Sequence, residues 1–202
     1  MSLPVTYFDR MYAADPDPWQ FRSRWYEQRK YALTLAALPR RRYRAGFEPG
    51  CSIGELTAGL AARCDTLLAA DAAEAAVRTV AERLAAQENV RVERRRLQDD
   101  WPSGTFDLIV LSEVAYYLAD DDLDRLVDAV LAGLEPGGDL VLVHWRHPVA
   151  DYPLDGDAVH AVFAGRPGLE RTVAHVEADF RLEVYARVPP AARSVAAHEG
   201  LC

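Results

Sequence analysis

Residues Phe47-Glu48-Pro49-Gly50-Cys51-Ser52-Ile53-Gly54-Glu55-Leu56-Thr57 carry the densest chemistry in this chain. Read as Gly-x-Ser-x-Gly, the stretch imitates the nucleophile elbow of an α/β-hydrolase and makes Ser52 a nucleophile. Read with Glu48 in front, it is a glycine-rich loop preceded by an acid, of the kind that lets a nucleoside cofactor approach the backbone. Both versions demand a strand, a sharp turn and a helix. Local pattern therefore leaves the choice to the surrounding elements.

Those elements alternate. Residues 1–42 form an aromatic and helical lead-in, with a turn at Asp15-Pro16-Asp17-Pro18-Trp19 and a helix from Ser23 to Leu38 that Pro39 closes. Strand-like runs follow at Thr66–Ala70, Asn89–Glu93, Phe106–Leu111 and Asp139–Val143. Between them lie an Ala-rich helix, Asp71–Gln87, and an amphipathic one, Leu123–Leu134, ending at Pro136-Gly137-Gly138. The alternation predicts βαβ units and a doubly wound, mostly parallel sheet. After a short helix near Asp157–Ala164, the runs Arg171–Glu177 and Phe180–Arg187 predict an antiparallel hairpin on the sheet edge. Residues 1–188 read as one α/β domain, with 1–42 as the N-terminal lead-in and 43–188 as the core. Residues 189–202 read as a flexible tail.

This order bears on Ser52. A hydrolase elbow needs several strands before it, one of which supplies half the oxyanion hole; here the glycine loop follows the first strand. The downstream histidines, His175 and His198, fall in a strand and in the tail, which suits a triad poorly. A loop after strand one instead binds a ligand at the carboxyl ends of the strands. Asp71 ends the second strand, where an acid accepts both hydroxyls of an adenosine ribose. NAD asks for a third glycine and no acid beside its pyrophosphate. Glu48 would repel a pyrophosphate but attract the ammonium of a methionyl group. S-adenosylmethionine (SAM) fits these residues better than NAD.

From Tyr7 to about Arg187 the chain resembles the nodulation protein S (NodS) family of class I SAM-dependent methyltransferases. The broad signature is residues 48–54, Asp71, Phe106-Asp107-Leu108-Ile109-Val110 and Leu134-Glu135-Pro136-Gly137-Gly138. The narrower one is Asp17-Pro18-Trp19, Trp25-Tyr26-Glu27 with Lys30, Ser112-Glu113-Val114 with Tyr116-Tyr117, and His144-Trp145-Arg146-His147-Pro148. The resemblance implies a Rossmann-like fold and methylation of an amino-sugar unit of a chitooligosaccharide, or N- or O-methylation of another small metabolite. It implies SAM, with S-adenosylhomocysteine as product, around Glu48, Gly50, Cys51, Ser52 and Gly54. Asp71 and Ala72 would take the ribose and adenine, Leu97 and Gln98 the adenine edge, and Ser112 and Val114 the reacting methyl. Residues 1–42, with Trp19 and Tyr26, would fold over the cofactor as an N-terminal lid. Tyr117, Trp145 and Arg146 would line the acceptor site, and His144 and Glu113 are the candidate bases for an amine.

Other classes fit less well. The net charge of −8 argues against nucleic acid or an anionic membrane as partner. Apart from Arg40-Arg41-Arg42 with Arg44 and Arg94-Arg95-Arg96, read as a solvated surface, no basic run exists. No apolar run reaches the ~20 residues of a membrane span. Cys51, Cys64 and Cys202 lack metal or redox spacing, consistent with reduced thiols in a cytoplasm. His144-x-x-His147 with Asp151 and Asp157 is a weak metal pattern, so no metal is expected. The expected partner is a small methyl acceptor, and the expected state a monomer or homodimer. A binding module without catalysis is the third class.

Overall fold

The structure, a computed structural model, describes residues 1–201. One seven-stranded sheet has the order β3-β2-β1-β4-β5-β7-β6. Its strands are β1 (Tyr43–Pro49), β2 (Cys64–Asp71), β3 (Val90–Arg94), β4 (Phe106–Ser112), β5 (Leu134–Trp145), β6 (Leu169–Val176) and β7 (Phe180–Arg187). β1 to β5 pair in parallel, while β7 lies antiparallel between β5 and β6. This is the expected doubly wound α/β sheet with an antiparallel hairpin at one edge. The crossover reverses direction at β1, so its carboxyl end opens the crevice where such sheets take ligands.

The helices are α1 (Val5–Ala14), α2 (Trp25–Ala37), α3 (Glu55–Ala61), α4 (Glu74–Arg83), α5 (Asp120–Gly133), α6 (Gly156–Ala164) and α7 (Val195–His198). Both sheet faces are covered, which explains why the inner strands are apolar throughout. Phe47, Ile109, Leu111, Leu140, Leu142 and Tyr185 pack with α5 and α6 residues Leu126, Val130, Val159 and Phe163. On the opposite face Leu67, Leu108, Val110, Val141 and Val143 pack with Leu56 and Leu60 of α3. Asp107 sits inside β4, but its carboxylate is used: it accepts from the backbone N–H groups of Arg44 and Ala45, at 2.9 and 2.8 Å. No described helix is long and apolar enough to cross a membrane.

Element boundaries moved for identifiable reasons. Asp71 stays in β2, paired with Arg94, and its Oδ1 accepts from Ala73 N–H, which delays α4 to Glu74. α5 starts three residues before Leu123, because Asp120, Asp121 and Asp122 suit the positive end of a helix. β5 begins at Leu134 and runs through Pro136-Gly137-Gly138, the segment read as a helix stop. Residues 189–201 carry the short helix α7 and an Arg41–Glu199 ion pair at 3.1 Å. Cys202, with its expected thiol, lies outside the described residues.

Candidate active site

The loop after β1 is held in a conformation that few residues adopt. Gly50 (φ 77°), Ser52 (φ 49°) and Gly54 (φ 79°) all occupy the left-handed region. Gly50 and Cys51 N–H groups both donate to Ala70 O, at 2.7 and 2.9 Å, folding the loop back over the end of β2. A Cβ on Gly50 would collide with Cγ1 of Val114 on the next strand's exit. Gly50→Ala is therefore expected to lower stability by about 1–3 kcal/mol, from left-handed strain plus overpacking, seen as a lower urea midpoint at unchanged m-value.

Two acids border this loop. Asp71 accepts from Ser52 N–H at 3.0 Å and Ala73 N–H at 2.9 Å, which fixes its carboxylate at the β2 terminus. Burial raises its pKa, against the lowering effect of those amides. Glu48 at the end of β1 is 3 % exposed, and its Oε2 has no hydrogen-bond partner. Burial pushes its pKa up to about 8. An unpartnered buried carboxylate oxygen costs free energy unless something answers it.

A second polar group lies in the same cavity. Lys30 Nζ, 2 % exposed, contacts Glu113 Oε1 at 2.6 Å and Glu27 Oε2 at 3.0 Å. Glu113 follows β4 with φ 57°, and its Oε2 accepts from Trp145 N–H at 3.1 Å and from the Tyr116 hydroxyl. Lys30 also sits 4.9 Å from the centre of the Tyr26 ring. Two carboxylates around one ammonium leave the cluster an acid in excess, facing the cavity. Aromatic rings complete this end: Tyr116 stacks on Tyr152 at 5.0 Å, and Tyr117 meets Tyr152 and Phe8 edge-on.

The cavity itself has a volume of about 510 Å³, within the range of small-ligand sites. Of the residues expected from sequence, Trp19, Tyr26, Glu48, Gly50, Cys51, Ser52, Asp71, Ala72, Leu97, Gln98, Ser112, Glu113, Val114, Tyr117 and Trp145 line it. Gly54, His144 and Arg146 do not. Gly54 has αL geometry at the N-cap of α3, packed against Val80. Arg146 turns to Asp157, at 2.9 Å, and to Glu177 O, at 2.6 Å. His144 is fully buried, with Nδ1 3.2 Å from His160 Nε2 and Nε2 3.4 Å from Ala115 N. Both its ring nitrogens are thus occupied by protein, and burial drives its pKa well down. Tyr26 offers its ring face to Lys30 as well as to the cavity, and Trp19 stacks on Phe21.

Two alternatives lose their geometry. Ser52 Oγ bonds the Tyr12 hydroxyl at 2.6 Å; His175 instead meets Glu177 and His198 lies in α7, so no base attends the serine. Among the described residues no His, Cys, Asp or Glu cluster has the form of a metal site; His147 pairs with Asp179 and Asp157 with arginines. Cys51 and Cys64 are free and buried. Sequence reasoning had not placed Tyr12, Glu27 or Tyr152, nor given Lys30 a role. A signal existed: Glu27, Lys30 and Thr34 form a polar stripe at helical spacing, and they are the buried residues of α2.

Comparison with known proteins agrees with this geometry. A family profile described as Nodulation protein S (NodS) matches residues 7–152. Nodulation protein S of Rhizobium tropici is 32 % identical over 135 residues, covering 66 % of this chain and 56 % of its own. The chain thus spans little more than half the length of that relative. A crystal structure described as a putative methyltransferase from Pseudomonas syringae is 52 % identical, with TM-score 0.73, covering 81 % of this chain and all of that one. The N-methyltransferase NodS from Bradyrhizobium japonicum WM9, in complex with S-adenosyl-L-homocysteine, superposes with TM-score 0.82 at 23 % identity, over 91 % of this chain and 97 % of that one. That last likeness speaks for the fold. With a match running from α1 to Tyr152, the chain belongs to the nodulation protein S family.

Proposed function

We propose that this chain is a SAM-dependent methyltransferase acting on an amine of a small, polar, sugar-like acceptor and releasing S-adenosylhomocysteine. One observation carries the reading: the unpartnered Glu48 oxygen and the Asp71 carboxylate flank the glycine loop in the same cavity as the Glu27–Lys30–Glu113 cluster. The names of two similar structures, a putative methyltransferase and an N-methyltransferase with bound S-adenosyl-L-homocysteine, support methyl transfer from SAM. Glu48 would answer the methionyl ammonium and Asp71 the ribose hydroxyls. Leu97 and Gln98, with Ala72, would border the adenine. Bound there, the sulfonium supplies an electrophilic methyl group for in-line displacement by a nitrogen lone pair.

The protein's own share is positioning, exclusion of water and removal of a proton. An amine arrives largely protonated, and the surplus carboxylate of the Glu27–Lys30–Glu113 cluster would attract it. Of the two expected bases Glu113 lines the cavity and His144 does not, so the base role would fall to Glu113. Tyr116, Tyr117 and Tyr152 would pack against the acceptor, and α1 with the Trp19 turn would cover the cofactor end.

Calorimetry tests the cofactor half. Asp71→Ala is expected to weaken SAM binding ten- to a hundredfold, the loss of charge-assisted hydrogen bonds. Equal affinity in variant and parent, or no binding by the parent, would sink the assignment. The acceptor half is tested by SAM turnover on glucosamine, simple amines and hydroxyl compounds. Turnover confined to hydroxyl acceptors would overturn the amine reading.

A further inference from the structure

Behind the cavity wall lies a buried line of titratable groups that methyl transfer does not directly use. Glu183 on β7, His160 on α6 and His144 on β5 are all fully buried. His160 Nδ1 is 2.7 Å from Glu183 Oε2, His160 Nε2 is 3.2 Å from His144 Nδ1, and His144 Nε2 is 3.4 Å from Ala115 N. Ala115 opens the 3-10 turn Ala115–Tyr117, which Val114 alone separates from Glu113.

The two ends of this line have fixed roles. Glu183 accepts from Arg171 and Arg181 at 2.7 Å each and from the Tyr185 hydroxyl at 2.8 Å, so it is an ionised, accept-only carboxylate. The Ala115 peptide N–H only donates. Between an obligate acceptor and an obligate donor, two imidazoles have one arrangement that satisfies every link. His160 carries its proton on Nδ1 and accepts at Nε2; His144 does the same. A second proton on either ring sets two donors face to face. Burial lowers the pKa of both rings, which agrees with neutral imidazoles, although Glu183 pulls that of His160 back up.

The fold presses these groups together. A Cβ on Gly156, the first residue of α6, would lie 2.8 Å from His144 Cβ and would strike Trp145 O. Asp155 caps α6 through Ala158 N–H at 2.8 Å, and Arg146 holds Asp157. Tyr116, which reaches Glu113, packs edge-on against His144 at 5.3 Å.

We infer that Glu183, His160 and His144 form a proton-ordered positioning chain, holding the Ala115 N–H and thereby the turn that presents Glu113 and Tyr116 to the acceptor. This rests on the reading of the cavity as a methyl-transfer site, but its test needs no turnover. Nitrogen-15 NMR of histidine-labelled protein at neutral pH is expected to show both rings neutral with the proton on Nδ1. A proton on Nε2 of either ring, or an imidazolium, overturns the chain. His144→Leu removes the acceptor for Ala115, whereas His144→Gln restores one at the reach of Nε2. Amide exchange at Ala115 is expected to rise about five- to tenfold in the leucine protein and to return toward the parent in the glutamine protein. SAM affinity by calorimetry is expected to stay within about twofold in both, since the loop at 50–54 is untouched. Unchanged exchange in the leucine protein, no recovery with glutamine, or equal loss of SAM affinity would each replace positioning by plain packing. Failure of methyl transfer in the parent would count against the proposed activity and leave the proton order standing.

Discussion

Replacing Lys30 by methionine is expected to destabilise the protein by about 3–5 kcal/mol at pH 8, the usual cost of leaving buried charge without its partner. The ammonium is 2 % exposed and stands between Glu113 at 2.6 Å and Glu27 at 3.0 Å. Burial pulls the Lys30 pKa down, but the two carboxylates outweigh it and the net shift is upward. A raised folded value means that this stabilisation is fully present below the unfolded lysine value and fades only in strong alkali. Glu27 has the opposite problem: burial raises its pKa and Lys30 is what restrains it. Without Lys30, Glu27 and Glu113 repel, and protonation of one relieves them. The deficit between variant and parent should therefore shrink as pH falls from 8 to 5.5. Urea unfolding at both values measures it, and a deficit equal at the two pH values would refute the electrostatic account.

Glu48→Gln is expected to act in the other direction on stability while harming binding. Burial sets the Glu48 pKa at about 8, far above its ordinary value near 4.5. The sign follows: stability tied to this group is complete below about 4.5 and is lost as pH rises through about 8. At pH 7 the loss is of order 3 kcal/mol, from a penalty of 1.36 kcal/mol per unit. Glutamine keeps the shape without the charge, so the variant should exceed the parent by about 2–3 kcal/mol near neutrality and equal it near pH 4.5. Its SAM affinity should fall ten- to a hundredfold, because an amide answers an ammonium less well than a carboxylate. The parent should also release close to one proton on binding SAM at pH 7, read by calorimetry in two buffers of different ionisation enthalpy. The variant should release none. A parent that binds without proton release would mean that Glu48 is already ionised, and the account would fail.

Much of this site was legible because parallel sheets put their ligands at strand ends. Glu48 and Asp71 could be placed by counting strands, and all but three of the expected site residues line the cavity. The three exceptions share a cause. Gly54, His144 and Arg146 lie beside the site in sequence, but alternation along β5 and the turn into α3 aim them elsewhere. Side-chain direction on a strand depends on register, which β4 and β7 fix and no local pattern reveals. Lys30 was hidden for another reason. A lysine at helical spacing reads as solvent-facing until the helix is docked, and the Glu113 carboxylate that meets Lys30 lies 83 residues along the chain. α1 was not delimited from sequence, and its Tyr12–Ser52 bond joins segments 40 residues apart. The long reach of β5 through Pro136-Gly137-Gly138 was missed because those residues usually punctuate.

The placement of β7 has a consequence for how the chain must be made. β7 is the last strand synthesised, yet it lies inside the sheet, bonded to β5 on one side and β6 on the other. β6 leaves the ribosome first and has nowhere to pair until β7 emerges. Until then β5 keeps a naked edge, and His144 and His160 lack the Glu183 carboxylate that orders their protons. The parallel strands β1 to β5 can pair before the chain is finished, but the free edge of β5 waits for residue 187. A ribosome stalled between residues 152 and 180 would hold a chain that contains all of the profile match at 7–152 and still lacks β7.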